Sequence, residues 1–182
     1  MKISVLGLGR LGLSFSFFLS SKGHNVFGYD KIQKIGLDVK KNKKNFEPKL
    51  NSYIKKFKKN FSFENNLKDL ILKTDISFLV LPTPSKKDGS FSNSYIYNCL
   101  DEMAKFIKLK KKRNHKIIIT STTSPGSCEK FVIYLEKKGL KNNIDFSIIY
   151  NPHFIAQGTT IDNLEKPDLI LVGTDNNKTK AE

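Results

Sequence analysis

The order of apolar and polar positions along the chain predicts strands and helices in regular alternation. Short apolar runs indicate buried strands, and longer stretches with apolar residues at helical spacing indicate amphipathic helices. This alternation is typical of a doubly wound α/β sheet. The predicted strands are 2–6, 25–29, 75–81, 115–120, 145–150 and 168–172. The predicted helices are 10–22, 31–60 in two pieces broken near Glu47-Pro48, 65–73, 92–109 and 126–138.

The same pattern predicts a single domain. It contains no internal repeat and no linker rich in Pro, Gly or Ser. The fold class that it favours is a mostly parallel, doubly wound sheet in three layers, with helices on both faces. The domain covers residues 1–174, and residues 175–182 form a polar tail. Since 38% of the 182 residues are hydrophobic, a sizeable core is expected and a disordered chain is excluded.

The net charge raises the question of a nucleic-acid partner. The chain has 32 Lys and Arg against 17 Asp and Glu, a formal charge of +15, and such basic proteins often bind polyanions. Only Arg10 and Arg113 are arginines, whereas bidentate contacts to phosphates and bases favour Arg. We therefore expect no nucleic-acid partner, and a basic polyanion-binding protein remains as a lesser alternative.

Cysteine usage and hydropathy indicate a cytoplasmic protein without membrane contact. Cys99 and Cys128 form no CxxC or Cys/His pattern, so no metal site is predicted and reduced thiols are expected. No apolar run approaches the roughly 20 residues of a membrane span. The run 11–19 resembles the apolar core of a signal peptide, but no Ala-x-Ala site follows it.

A glycine-rich turn after the first predicted strand indicates a dinucleotide site. Residues 7–12 (Gly-Leu-Gly-Arg-Leu-Gly) fit G-x-G-x-x-G, and Asp30 ends the next predicted strand, 23 residues after Gly7. This context is the fingerprint of a Rossmann-type domain, whose helix N-terminus binds the pyrophosphate. The Asp30 carboxylate favours NAD over NADP, although Lys31 and Lys34 soften that preference. The alternative is a glycine-rich turn that binds no ligand.

Five further motifs, in order, resemble the UDP-glucose/GDP-mannose 6-dehydrogenase family. The resemblance runs from residue 1 to about residue 173 and covers that family's N-terminal NAD-binding domain. The motifs are Glu47-Pro48-x-Leu50, Pro82-Thr83-Pro84 with Asp88-Gly89, Ser121-Thr122-Thr123-Ser124-Pro125-Gly126, Asn151-Pro152-His153-Phe154-Ile155-Ala156-Gln157-Gly158, and Asp162-x-Leu164-x-x-Pro167-Asp168.

The resemblance implies a reaction and a set of site residues. The family oxidises the C6 alcohol of a nucleotide sugar to a carboxylate, reduces two NAD in succession, and uses a Cys nucleophile that carries a thiohemiacetal and then a thioester. Thr122 matches a Thr thought to help position the catalytic water; its alternative role is a turn or helix cap. The implied cofactor-binding residues are Gly7, Gly9, Arg10, Leu11, Gly12, Asp30, Lys34, Thr83, Ser121 and Thr122.

The sequence departs from the family pattern at two positions. The family motif Asn-Pro-Glu-Phe-Leu-x-Glu-Gly has Glu where this chain has His153 and Gln157. An imidazole can still take a proton near pH 7, whereas Gln hydrogen-bonds but cannot act as a base. Altered chemistry and lost function are both open, and the intact surrounding motif favours the former. Thr122, His153 and Gln157 are the candidate catalytic residues.

The length of the chain, 182 residues, limits which part of such an enzyme it can represent. Family members continue into a central dimerising helical region and a second domain that carries the catalytic Cys, and Cys128 does not match that nucleophile. We therefore predict the NAD-binding portion of a nucleotide-sugar 6-dehydrogenase, whose nucleotide-sugar substrate needs the other half and whose full-length form is a homodimer. A stand-alone or degenerate NAD-binding module without catalysis is the alternative.

Overall fold

The computed structural model describes residues 1–33, 35, 47–109, 114–156 and 158–174. They form a six-stranded sheet in which each pair of neighbouring strands is parallel, in the order β3-β2-β1-β4-β5-β6. The strands are β1 (Lys2–Leu6), β2 (Asn25–Tyr29), β3 (Phe61–Phe63), β4 (Ile76–Leu79), β5 (His115–Ile119) and β6 (Phe146–Tyr150). The helices are α1 (Arg10–Ser21), α2 (Leu50–Phe57), α3 (Leu67–Lys73), α4 (Ser94–Leu109), α5 (Ser127–Lys137) and α6 (Thr160–Glu165).

Helices cover both faces of this sheet. Side chains alternate between the two faces along each strand, so Ile3 and Val5 of β1 pack with α1 while Leu6 packs with α3, α4 and α5. Each face thus has its own hydrophobic core. The larger core, which accounts for most of the stabilising apolar burial, lies between the sheet and helices α3, α4 and α5. The predicted doubly wound fold in three layers is confirmed.

The strand order creates a crevice at the centre of the sheet. From β1 the chain moves outward through β2 to β3 and then returns to β4 on the other side of β1. The connections that follow β1 and β4 therefore leave the sheet toward opposite faces. Ligands of open α/β sheets bind where the connections diverge in this way, outside the carboxyl ends of the strands.

The predicted strand at 168–172 is wrong. Its side chains stay in contact with solvent, and the exposed fraction of Ile170 is 70%. An isolated antiparallel bridge between Tyr150 and Gly173 joins this segment to the edge of the sheet beside β6. An apolar run forms a regular strand when one of its faces is buried by packing, and this segment lacks such burial in the described structure.

One strand is missing from the sequence prediction. β3 has three residues, too few for an alternating pattern to be recognised, yet it pairs with β2 from Val26 to Gly28. Phe61 of β3 packs on Phe17 of α1, with 4.8 Å between ring centroids. The second piece of the predicted helix 31–60 corresponds to α2 followed by a 3₁₀ turn at Lys58–Asn60. Most of the first piece lies outside the described residues.

The apolar run 11–19 belongs to the fold. It lies in α1, where Leu13, Phe15 and Phe17 are buried. These side chains contact the sheet and α2, which explains the apolar pattern that resembles a signal peptide. Within the described part of the chain, no helix is long and apolar enough to cross a bilayer.

Candidate cofactor-binding site

A cleft of about 680 Å³ opens at the carboxyl ends of the central strands. Its walls come from the turn after β1, the end of β2 and the segments that follow β4, β5 and β6. The predicted site residues that line it are Gly7, Gly9, Arg10, Leu11, Gly12, Asp30, Thr83, Ser121, Thr122 and His153. Lys34 and Gln157, also predicted, lie outside the described residues.

The three positions of the turn 7–12 that are occupied by glycine require it for different physical reasons. Gly7 has φ +93°, and a Cβ there would lie 2.2 Å from the Val80 carbonyl oxygen, so both conformation and space exclude a side chain. A Cβ on Gly12 would lie 1.8 Å from the Gly7 carbonyl oxygen. Gly9 is exposed, with φ −63° and no atom within 4 Å of its ideal Cβ position. Protein packing therefore requires Gly7 and Gly12, whereas the space above Gly9 is open for a ligand.

Asp30 holds the turn from the end of β2. Its Oδ2 accepts a 2.7 Å hydrogen bond from the backbone N–H of Leu8, and its Oδ1 accepts a 2.8 Å bond from that of Ile32. A carboxylate has about four acceptor positions, so each oxygen can accept a further bond from a ribose hydroxyl. Asp30 thus shapes the site and presents negative charge to a ligand.

The hydroxyl residues after β4 and β5 differ in their surroundings. The Ser121 Oγ accepts a 2.8 Å bond from Leu81 N–H and donates to the Leu81 carbonyl oxygen at 2.7 Å. Its hydrogen bonds therefore tie the ends of β4 and β5 together. Thr122 is exposed and Thr83 is half-buried at the cleft. These two hydroxyls suit ligand contacts, while Ser121 supports the wall that carries them.

His153 lies in the cleft wall as a largely desolvated imidazole. Its ring packs edge-on against Phe15, with 4.5 Å between centroids, and Phe15 packs edge-on against Phe78 at 4.9 Å. Burial lowers the pKa of His153 to about 4, because a charged ring loses its hydration there. The ring is therefore neutral at pH 7 and is a weaker base than an ordinary histidine, with a basicity close to that of a carboxylate. Its role as a proton acceptor stays a prediction.

The cleft is also lined by residues that were not predicted as site residues from the sequence. Tyr95, Cys99 and Glu102 of α4 line the cleft together with Tyr29 and Asp30. Burial and then the Glu102 charge raise the pKa of Tyr29. The spacing 95, 99, 102 marks one face of a helix and could have revealed them, but the apolar face of the same helix dominates the pattern.

Neither cysteine has the environment of a reactive thiol. Burial raises the pKa of Cys99 to about 12 and that of Cys128 to about 11, and the nearby carboxylates Glu102 and Glu129 add to the respective shifts. A thiolate is the nucleophilic form of cysteine, so both side chains are un-ionised at pH 7. Among the described residues, no group of His, Cys, Asp and Glu could hold a metal ion.

The residues present fit a dinucleotide. The cleft volume lies in the usual range for cofactor sites. The open space at Gly9 and the N–H groups at the start of α1, where no N-cap side chain accepts a hydrogen bond, suit a pyrophosphate, and Asp30 suits an unphosphorylated ribose. The predicted cofactor-binding residues that the structure describes thus lie at or just beyond the carboxyl ends of β1, β2, β4 and β5.

Known proteins share this sequence and fold. The chain is 32% identical over 189 aligned positions to UDP-glucose 6-dehydrogenase of Rickettsia typhi, matching 100% of this chain and 41% of the relative. It is 32% identical to GDP-mannose 6-dehydrogenase of Pseudomonas aeruginosa, over 95% of this chain and 41% of that protein. The chain therefore spans less than half the length of these curated relatives.

Solved structures agree with the sequence relatives. A ternary complex of GDP-mannose dehydrogenase from Pseudomonas aeruginosa superposes with a TM-score of 0.93 at 28% identity, over 100% of this chain and 42% of the other. UDP-glucose dehydrogenase from Pyrobaculum islandicum gives 0.89 at 26% identity, over 99% and 42% of the two chains. The family model for the NAD-binding domain matches residues 1–182. The chain belongs to the UDP-glucose/GDP-mannose dehydrogenase family, contributes its NAD-binding domain and uses NAD as cofactor.

Proposed function

We propose that this domain serves a nucleotide-sugar 6-dehydrogenase, which oxidises the C6 alcohol of UDP-glucose or a similar nucleotide hexose to the uronate. The observation that carries the proposal is the convergence of the turn 7–12, Asp30, Thr83 and Thr122 on one cleft, in a chain that belongs to this family. A uronate of this kind would serve polysaccharide biosynthesis in the cytoplasm.

The chain's own residues divide the work of holding NAD. The N–H groups of the turn and the first turn of α1 bind the pyrophosphate, and Asp30 accepts the adenosine ribose hydroxyls. Thr83 and Thr122, which line the same cleft, would contact the nicotinamide half of the cofactor. When bound, NAD accepts the hydride that leaves the sugar C6.

Three residues are proposed for the chemistry at the sugar. Thr122, exposed at the cleft, would help to position a water molecule. His153 would accept a proton as a neutral base, with the weak basicity that its burial imposes. Gln157 lies outside the described residues and enters the proposal through its place in the motif, as a hydrogen-bonding group.

The proposed reaction also needs a thiolate nucleophile. The high pKa values of Cys99 and Cys128 make both poor candidates. We therefore assign no nucleophile within the 182 residues, and we expect this chain alone to bind NAD⁺ without turning over UDP-glucose or GDP-mannose.

Isothermal titration tests the cofactor role, and NADH absorbance tests turnover. We expect saturable binding of NAD⁺ in the micromolar range and weaker binding of NADP⁺, because the Asp30 charge repels a 2′-phosphate. Gly9→Ala, which leaves protein packing intact, should keep the fold and weaken binding. Absence of NAD⁺ binding by the folded wild-type chain contradicts the proposal. NADH formation from UDP-glucose by the wild-type chain contradicts the expectation that these residues alone give no turnover.

A further inference from the structure

Three polar contacts join the start of α2 to the segment that follows β6, across 111 to 113 residues of sequence. The Glu47 carboxylate accepts a hydrogen bond from the backbone N–H of Gly158. The Lys49 ammonium pairs with Asp162, and the Tyr53 hydroxyl donates to Glu165. We call these contacts the α2–α6 clasp. They follow one another in the same order along both segments.

Glu47 is the buried member of the α2–α6 clasp. Its exposed fraction is 4%, and its two carboxylate oxygens lie 3.2 and 3.4 Å from the Gly158 nitrogen. Hydrogen bonds to an ionised acceptor are stronger than neutral ones, and screening by water is weak at a buried site. The Lys49 and Asp162 side chains are 50% and 46% exposed, and exposed ion pairs contribute little. The anchoring of Gly158 therefore depends mainly on Glu47.

The anchored residue ends the loop that contains His153. At the start of this loop, the Asn151 N–H donates a 2.9 Å bond to the Ile119 carbonyl oxygen, which extends the pairing of β5 with β6. At its end, the Ala156 N–H donates to Asn163 Oδ1 at 3.2 Å and Gly158 is bound to Glu47. Gly158 has φ +88°, a conformation that a glycine adopts without strain. The loop is thus fixed at both ends, and His153 is packed on Phe15 between them.

We propose that Glu47 is a positioning residue of the cofactor cleft, which holds the loop after β6 so that the His153 imidazole stays against Phe15 in the cleft wall. The Glu47 carboxylate does not line the cleft itself in the described structure. It acts through the Gly158 backbone, and it links the chain segment that precedes α2 to the wall that follows β6. The consequence for catalysis rests on the proposed function, but the position of His153 does not.

The pKa of His153 reports on this position. The chain has three histidines, His24, His115 and His153, so proton NMR can follow the His153 ring signal through a pH titration. In Glu47→Ala we expect the pKa of His153 to rise by about 1 or more, from about 4 toward the ordinary 6.5, because a released ring regains hydration. Glu47→Gln keeps an acceptor oxygen at the same reach and should restore most of the wild-type value.

Two comparisons make the result specific. Asp162→Asn removes an exposed contact of the same clasp and should leave the His153 titration unchanged, and His24 provides an internal reference in every variant. NAD⁺ affinity should fall several-fold in Glu47→Ala and much less in Asp162→Asn. If Glu47→Ala does not fold, as judged by circular dichroism, Glu47→Asp takes its place, because its shorter side chain does not reach the Gly158 N–H, and it should raise the pKa of His153 in the same direction.

The proposal is overturned if folded Glu47→Ala, or Glu47→Asp where Glu47→Ala does not fold, titrates His153 as wild type does, or if Asp162→Asn shifts the pKa by as much. Failure of the proposed function has a different signature. In that case wild type does not bind NAD⁺, while the His153 pKa still responds to Glu47.

Discussion

The turn after β1 and the loop after β6 line the same cleft but obtain their shapes in different ways. In the turn, a Cβ on Gly7 would clash with Val80, just after β4, and a Cβ on Gly12 would clash with Gly7 itself. Asp30 at the end of β2 accepts a hydrogen bond from the turn. In the loop, Gly158 is held by Glu47, a residue 111 positions earlier. The turn therefore has a local signature that a sequence motif records, whereas the loop depends on a pairing that no short motif contains.

The two regions also differ in what they contribute: the turn provides groups that bind the cofactor, and the loop sets the pKa of a side chain. The turn presents backbone N–H groups, whose direction follows from the glycine conformations and the start of α1. The loop presents the side chain of His153, whose pKa depends on how deeply the loop buries it. A change in the turn should therefore weaken folding or cofactor binding, and a change in the loop should mainly shift a pH dependence.

The largest effect is expected at Gly12. An Ala there would place its Cβ 1.8 Å from the Gly7 carbonyl oxygen, and relieving this clash by moving backbone should cost about 3 kcal/mol or more. Gly9→Ala is the matched control, since its Cβ meets no protein atom within 4 Å. We expect urea unfolding of Gly9→Ala within about 0.5 kcal/mol of wild type and NAD⁺ affinity at least about tenfold weaker. Equal stabilities for the two variants would remove the distinction between packing and ligand glycines.

The next largest effect is a pH dependence from the loop. The pKa of His153 is about 4 in the fold, below the ordinary 6.5, so between these values the unfolded chain binds more protons. Stability should fall as the pH decreases from 6.5 to 4, by up to about 3 kcal/mol from this group. Denaturant unfolding of wild type and His153→Phe at both pH values isolates the contribution. A parallel pH dependence in the two proteins would show that His153 is not desolvated in the fold.

Substitutions of Asp30, which accepts hydrogen bonds from the turn, should reduce NAD⁺ affinity by an intermediate amount. Asp30→Ala leaves the Leu8 and Ile32 N–H groups without their acceptor and removes the ribose contact, so NAD⁺ affinity should fall about 10- to 100-fold. Asp30→Asn keeps an acceptor oxygen and removes the charge. Titration with NAD⁺ and NADP⁺ should show a narrower preference for NAD⁺ in Asp30→Asn than in wild type, and an unchanged preference would contradict the electrostatic explanation.

The smallest effect is expected at the exposed part of the α2–α6 clasp. Asp162→Asn should change the free energy of unfolding by less than about 0.5 kcal/mol, because Lys49 and Asp162 are both about half exposed. Thermal unfolding at low and high salt measures the contribution. A loss comparable to that of Glu47→Ala would mean that the loop is held by the whole clasp and not by its buried carboxylate.

Sequence patterns located most of the fold because burial in a parallel sheet leaves a local record. β1 and β2 have the predicted bounds, and the other predicted elements that the structure describes differ mainly by a few residues at their ends, apart from the strand at 168–172. α6, a helix of six residues, was not predicted, because so short a segment carries no recognisable helical period. β3 was not predicted, since three residues carry too short a pattern. The segment 168–172 has the composition of a strand, but its side chains remain exposed, and local composition does not specify what packs on it.

The candidate site was predictable to the extent that its residues lie in motifs. The turn, Asp30, Thr83, Thr122 and His153 converge as expected on one cleft. The structural use of Ser121 in joining β4 to β5 was not predictable. Cys99 and Glu102 were not predicted at the cleft, because their side of α4 has no motif and helical spacing was their only signal. Glu47 was recognised only as part of a signature, without its partner.

By itself the sequence determined the succession of most strands and helices along the chain and the glycine-rich turn that indicates NAD, because each follows from neighbouring residues and from backbone conformations that few residue types adopt. Tertiary structure alone decided the pKa of His153 and the anchoring of Gly158 by Glu47. It also decided that the segment 168–172 forms no regular strand beside β6. Those properties depend on desolvation and on contacts between segments more than 100 residues apart, and neither leaves a periodic record in the chain.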